Sequence, residues 1–224
     1  MRRALAEDLE ERTRFIRNHT AIAATSLVPE IDLHLATEIT PLWHASESWL
    51  HAHGVPPPFW AFAWAGGQAL ARYILDHPAI VAGKRVLDFA AGSGIVGIAA
   101  ARAGARHVVS SDIDPFAEVV IRMNATLNRV GIMVEKDDAV GHPLDDYDVL
   151  LAGDVCYERP MANVVTPWLR DRARAGLTVL LGDPGRAYLL PRDGREELAR
   201  YEVPVSADVE GRAIRTGAVF RVLP

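Results

Sequence analysis

Four side chains sit where this sequence could do chemistry: Asp88, Asp112, Asp154 and Tyr157. Val86-Leu-Asp88-Phe runs into Gly92-Ser-Gly94-Ile-Val-Gly97, and a second apolar run, His107-Val-Val-Ser-Ser, ends on Asp112. A strand, a glycine loop, a helix and a second strand ending on an acid build a nucleotide cradle. The glycines let the backbone approach the ligand, and the acid receives a ribose diol. Asp88 adds a feature of its own. A carboxylate at the end of the first strand can orient the loop and attract a cationic ligand, whereas it repels a pyrophosphate. From these residues alone a dinucleotide dehydrogenase remains open, as does a tight turn that only packs a helix on a sheet.

Val149-Leu-Leu-Ala-Gly-Asp154-Val-Cys-Tyr157 is a further apolar strand ending in Asp-x-x-Tyr. Ligands of open α/β sheets bind beyond the carboxyl ends of the strands, so Asp154 and Tyr157 project beside the glycine loop. A strand-end cap with a packed tyrosine is the plainer alternative. Cys156 has no histidine partner in a recognisable motif and reads as a buried structural thiol. His44, His51 and His53 lie near Pro56-Pro57-Pro58 without the ligand spacing of a zinc site, so no metal is expected. Asn124 and Asn128 read as one helix face, and Asp114 fits a helix cap before Pro115 better than Asp112 does.

The elements that must position these groups follow from apolar periodicity. Residues 3–24 read as a helix, 27–40 as a short strand or extended arm, 41–60 as irregular, and 66–75 as a helix stopped near Pro78. Strands are expected at 85–89, 107–111, 132–135, 148–152 and 177–181. Helices are expected at 94–103, 115–129, 158–174 and 193–198. This alternation implies a parallel sheet with right-handed crossovers. Residues 199–207 and 214–222 leave no room for a crossover helix across Asp208–Arg212, so they should close the sheet as an antiparallel hairpin.

Composition bounds the rest. The chain has 224 residues, half of them hydrophobic, and a formal net charge of −5. Lys84 and Lys136 are the only lysines and no basic run occurs, which argues against a nucleic-acid partner. One cysteine excludes an internal disulfide and suits a reducing compartment. The charged N-terminal segment does not resemble a targeting sequence, and no apolar run reaches the ~18 residues that span a bilayer. A cytoplasmic location is therefore expected, with no membrane partner. Residues 1–58 read as a helical or irregular extension, ahead of a single domain over 59–224.

Together the loop, Asp88 and the antiparallel close resemble the class I, seven-β-strand S-adenosylmethionine methyltransferases. Asp154-x-x-Tyr157 is similar to the protein lysine methyltransferases with that fold. Val28-Pro-Glu-Ile-Asp-Leu33, the Pro58–Tyr73 segment with its Trp64-Ala-Gly-Gly-Gln68, Asp112-Ile-Asp-Pro115 and Gly182-Asp-Pro-Gly-Arg186 narrow it. They resemble the family that methylates the electron transfer flavoprotein β-subunit. The resemblance implies a Rossmann-like α/β sheet and S-adenosylmethionine as cofactor, with S-adenosylhomocysteine as product. It implies that Gly92 and Gly94 line the methionine part, Asp112 takes the ribose hydroxyls, and Asp138 (or its neighbour Asp137) meets the adenine. Trp64, with Trp60 near it, would lie against the methionine end, Gly153 under the cofactor, and Asp154 and Tyr157 at the acceptor amine. Arg186 would face the substrate or solvent. A methyltransferase for another protein or a small molecule, and an NAD(P)-binding oxidoreductase, are the alternatives.

Overall fold

The computed structural model describes residues 9–205, 211 and 213–224. The amphipathic start forms α1 (Leu9–His19), which buries Phe15 and Ile16. The helix expected over 3–24 ends earlier, and its residues 3–8 lie outside the described part. Thr20 Oγ turns back onto the Ile16 carbonyl, and Ala21–Ala24 (β1) pairs antiparallel with Asp32–Leu35 (β2), so the chain gains a ladder in place of another helical turn. The β2 arm is an alternating strand, as its pattern predicts, with Leu33 and Leu35 inward. The segment taken as irregular holds a short helix, α2 (Glu47–His53). Ser46 accepts from the Trp49 N–H at its start, and left-handed Gly54 closes it, a pair of cues legible in Ser46 and Gly54.

Beyond α3 (Ala65–Asp76) the chain alternates: β3 (Arg85–Phe89), α4 (Ile95–Arg102), β4 (His107–Ser111), α5 (Pro115–Leu127), β5 (Met133–Glu135), β6 (Val149–Gly153), α6 (Arg159–Arg174), β7 (Thr178–Asp183), β8 (Arg195–Pro204) and β9 (Ile214–Val222). Seven strands form one sheet in the order β5-β4-β3-β6-β7-β9-β8. The first five are parallel and β9 runs antiparallel to both β7 and β8. The expected α/β sheet with an antiparallel close is therefore present. The helix expected at 193–198 is not: a single turn at Arg192–Gly194 leads straight into β8, whose pairing with β9 runs from Arg195. Most of the Asp208–Arg212 connection lies outside the described residues.

The inner strands are apolar on both faces because both are covered. Val86, Val108, Val149, Leu151 and Val219 meet α3 and α4 on one side. Leu87, Val109, Leu150, Leu181 and Val222 meet Val165, Trp168 and Leu169 of α6 on the other. A third cluster joins Phe15 and Ile16 of α1 to Phe116 and Ile121 of α5. Asn124 and Asn128 do more than form a helix face. Asn128 bonds both the N–H and the carbonyl of Asp32, while Asn124 accepts from His34 N–H and donates to the Ser93 carbonyl. They clip the N-terminal hairpin to α5 and to the glycine loop.

The start of α3 lies directly on the sheet, which only glycines permit. A Cβ on Gly153 would lie 3.0 Å from Gly67 Cα, and one on Gly66 would strike the Gly182 carbonyl. A Cβ on Gly217 would lie 2.7 Å from Ala69 Cβ and 2.8 Å from the Ala65 carbonyl. Gly217→Ala should therefore lower the unfolding free energy by about 1–3 kcal/mol. Gly131→Ala, whose Cβ would meet nothing within 4 Å, should stay within about 0.5 kcal/mol of the parent. Urea unfolding curves compare the two, and equal midpoints would refute the close docking.

Candidate active site

Strand order reverses between β3 and β6, where an open α/β sheet has its ligand crevice. Two helices point their first turns into that crevice, and neither has a capping side chain at its own N-cap, which is Trp64 in α3 and Gly94 in α4. The strands supply the caps instead. Gly67 N–H donates to Asp154 Oδ2 at 3.0 Å, and Gly97 N–H donates to Asp88 Oδ2 at 2.9 Å. Each is the third residue of its helix, an unsatisfied donor and the positive end of the helix dipole. Ser110 Oγ also donates to Asp88. Gly97 must be glycine, because a Cβ there would lie 2.8 Å from Asp88 Oδ2.

Both carboxyl groups are buried, at 1% and 7% exposure. Burial pushes Asp88 up to about 7 against the pull of the Gly97 and Ser110 hydrogen bonds. It pushes Asp154 up to about 7 as well, against the opposing charge of Arg186. The Arg186 guanidinium donates to Asp154 Oδ1 through Nη2 at 3.1 Å and Nε at 3.3 Å, and sits 5.7 Å from the Trp64 ring centroid. It is therefore a clamp on Asp154, not a solvated loop arginine. Asp183, at the end of β7, accepts from the Gly185 and Arg186 amides and so holds the loop that delivers this guanidinium. Asp154 itself takes a left-handed φ of 56°, and its N–H bonds the Gly182 carbonyl.

Of the residues singled out in the sequence, Trp64, Asp88, Gly92, Gly153 and Asp154 line one narrow cavity with Phe62 and Gly67. Asp112 stands beside it: Oδ2 accepts from Gly92 N–H at 2.8 Å and Oδ1 from Asp114 N–H at 2.9 Å. Asp114, not Asp112, caps α5. Gly94, with φ 79°, lies against Ile121 of α5. Asp138 is exposed and accepts from Val140 N–H, while Ser111 Oγ tethers the preceding Asp137 carbonyl beside Asp112. Trp60 is a core residue stacked on Phe116. Gly153 faces the cavity, yet the neighbour that demands glycine there is Gly67. Tyr157 is 39% exposed on the rim, where its ring, Phe59 and Trp64 follow one another at 5.6 and 6.1 Å. Cys156 is fully buried and its thiol is pushed up to about 12, which leaves no thiolate for nucleophilic work. Among the described residues no three His, Cys, Asp or Glu side chains converge as a metal site requires. Sequence reasoning gave no role to Gly66, Gly67 or Asp183, although the Trp64–Gln68 and Gly182–Arg186 segments that hold them were singled out.

This strand order, glycine loop and acid-ended β4 define a class I methyltransferase. Solved structures with that fold include the Pyrococcus abyssi tRNA (uracil-54, C5)-methyltransferase in complex with S-adenosyl-L-homocysteine (TM-score 0.51, 16% identity, 71% of this chain and 40% of that one). Magnesium protoporphyrin IX methyltransferase from Synechocystis PCC 6803 with bound SAM is another (TM-score 0.50, 17% identity, 68% and 76%). The family model for ribosomal protein L11 methyltransferase matches residues 69–155. Over nearly its whole length the chain is similar to the electron transfer flavoprotein beta subunit lysine methyltransferases of Danio rerio (38% identity, 92% of this chain and 81% of that one) and Homo sapiens (34%, 94% and 81%). It belongs to the family of electron transfer flavoprotein β-subunit lysine methyltransferases.

Removing the guanidinium that offsets burial at Asp154 has a definite sign. In Arg186→Gln the Asp154 carboxyl should titrate above its parent position near 7, read from its ¹³C carboxyl resonance against pH. An unchanged or lower midpoint would show that the ion pair does not set this ionisation.

Proposed function

We propose that this chain transfers a methyl group from S-adenosylmethionine to lysine side chains of the electron transfer flavoprotein β-subunit. The observation that carries the chemistry is the crevice with buried Asp88 and Asp154 on its two sides, a site suited to cationic ligands. The substrate reading is supported by the relatives, whose names state it.

The crevice fits the cofactor. Gly92 has a left-handed φ of 53° and lines the cavity, and a Cβ there would come no nearer than 3.9 Å to its neighbour Trp60, so nothing crowds its backbone. Asp88 and the Trp64 ring would border the methionine end. Each oxygen of Asp112 takes one backbone N–H and keeps a lone pair for a ribose hydroxyl. Asp138 would meet the adenine amino group from its exposed loop. When bound, S-adenosylmethionine supplies a methyl group already activated by its sulfonium, so no metal is required.

The chain's own task is alignment of the amine with the methyl and sulfur for in-line displacement. Asp154 binds and orients the lysine ammonium, and the Phe59–Tyr157 rim gives its aliphatic stem and charge an aromatic wall. A free lysine has a pKa of about 10.4, so near pH 7.4 about one in a thousand is neutral, at a cost of roughly 4 kcal/mol. Even at about 7 Asp154 is a weaker base than the amine. Desolvation beside a sulfonium lowers the lysine pKa, and the proton leaves to water before methyl transfer.

Two variants separate these roles. Asp154→Asn, which keeps an oxygen to accept the Gly67 N–H but removes the charge, should reduce turnover on the protein substrate by about 100-fold while leaving S-adenosylhomocysteine affinity within a few-fold. Asp112→Ala should weaken S-adenosylhomocysteine binding by about 10-fold or more, as expected for lost hydrogen bonds to a charged acceptor, measured by calorimetry. Near-parental turnover in the first, or unchanged affinity in the second, refutes the corresponding assignment. For the activity itself, radiolabelled S-adenosylmethionine and purified electron transfer flavoprotein should give label on β-subunit lysines. Label confined to an unrelated protein would overturn the substrate, and NADH binding without S-adenosylhomocysteine binding would overturn the cofactor.

A further inference from the structure

Between β7 and β8 the chain forms only the turn at Arg192–Gly194, with no helix to pack on the antiparallel ribbon. On the face where α6 covers β6, β7 and Val222 at the end of β9, no helix lies over the remainder of the β8–β9 ribbon. A cavity of about 520 Å³ results, floored by Ala218 and Phe220 and walled by Leu189 and the Asp183–Gly185 loop. Its rim carries Arg192, Arg195 and Arg200. Arg200 is locked to Glu197 by two hydrogen bonds of 2.9 and 2.6 Å. Arg195 lies 4.9 Å from the Phe220 ring centroid. Among the described residues neither Arg192 nor Arg195 hydrogen-bonds a carboxylate.

We propose that this groove docks an extended, acidic segment of the protein substrate, the segment that carries the target lysine. The inference rests on the protein-lysine reading above and names how that substrate is held. Charge complementarity selects the occupant. Two guanidinium groups that hydrogen-bond no carboxylate, Arg195 lying within the field of Asp183 and Glu197, leave a net positive rim over an apolar floor and match carboxylates on a chain that also buries aliphatic or aromatic side chains. A nucleic acid would need a stripe of cations, whereas Glu197 and Asp183 interrupt this one. Continuity with the reaction site gives the direction. Asp183 lines the groove and accepts the Arg186 amide at 2.7 Å, and the Arg186 side chain lies on Asp154. A segment in the groove thus runs along the loop that leads to the carboxylate for the lysine.

The test is steady-state methyl transfer to intact electron transfer flavoprotein by the full chain. Arg192→Glu with Arg195→Glu should raise KM about 10-fold or more, with kcat and S-adenosylhomocysteine affinity unchanged. The rise should shrink as salt is added, because exposed charges are screened. Arg192→Lys with Arg195→Lys should recover most of the loss. KM within twofold of the parent after charge reversal overturns the groove, and so does a lysine variant as impaired as the glutamate one. A parent enzyme that leaves the flavoprotein unlabelled would instead overturn the substrate reading, and this proposal with it.

Discussion

Everything at the site depends on two backbone N–H groups that have no partner in their own helices. Gly67 and Gly97 each belong to a first turn without a side-chain cap, and each is satisfied by a carboxylate from a neighbouring strand. The bond fixes the helix and the acid together. It keeps Asp88 and Asp154 buried at the centre of the sheet, where a lone carboxylate would be costly. It also requires contact close enough to exclude side chains, which explains glycine at 66, 97, 153, 182 and 217. A structural need and a chemical one are met by the same residues: packing that leaves no room for a Cβ gives two acids that face one crevice.

That coupling explains what was legible in the sequence. The strands at 85–89 and 107–111 were read at their observed bounds because both are short apolar runs between turn residues. The glycine loop, Asp88 and Asp112 follow one another within a single strand–helix–strand unit, so their relation is local and spacing reveals it. Asp154 and Gly67 are 87 residues apart, and Arg186 reaches Asp154 across 32. Spacing says nothing about such pairs, and Arg186 was left between substrate and solvent for that reason. The helix expected at 193–198 failed because Arg195–Leu198 has helix-forming residues, while pairing with β9 offers a complete ladder. Asn124 and Asn128 looked like an ordinary polar face because their partners, Asp32, His34 and Ser93, come from two other segments.

The N-terminal extension joins the same arrangement. Its hairpin is held by the two asparagines, and Asn124 also holds the Ser93 carbonyl of the glycine loop. Phe15, Ile16 and Trp60 pack with Phe116 and Ile121, and Ile121 lies against Gly94. The extension therefore braces the loop from behind, while α3, which follows it, supplies Gly67 in front.

The most direct measurement of this account is the amide resonance of Gly67 and of Gly97 as pH is raised. An N–H bonded to a carboxylate reports that group's ionisation. Both signals should shift with a midpoint near 7, the value to which burial raises Asp154 and Asp88. Amides that stay flat between about pH 5 and 9, or that move only near the ordinary carboxylate value of about 3.9, would contradict it.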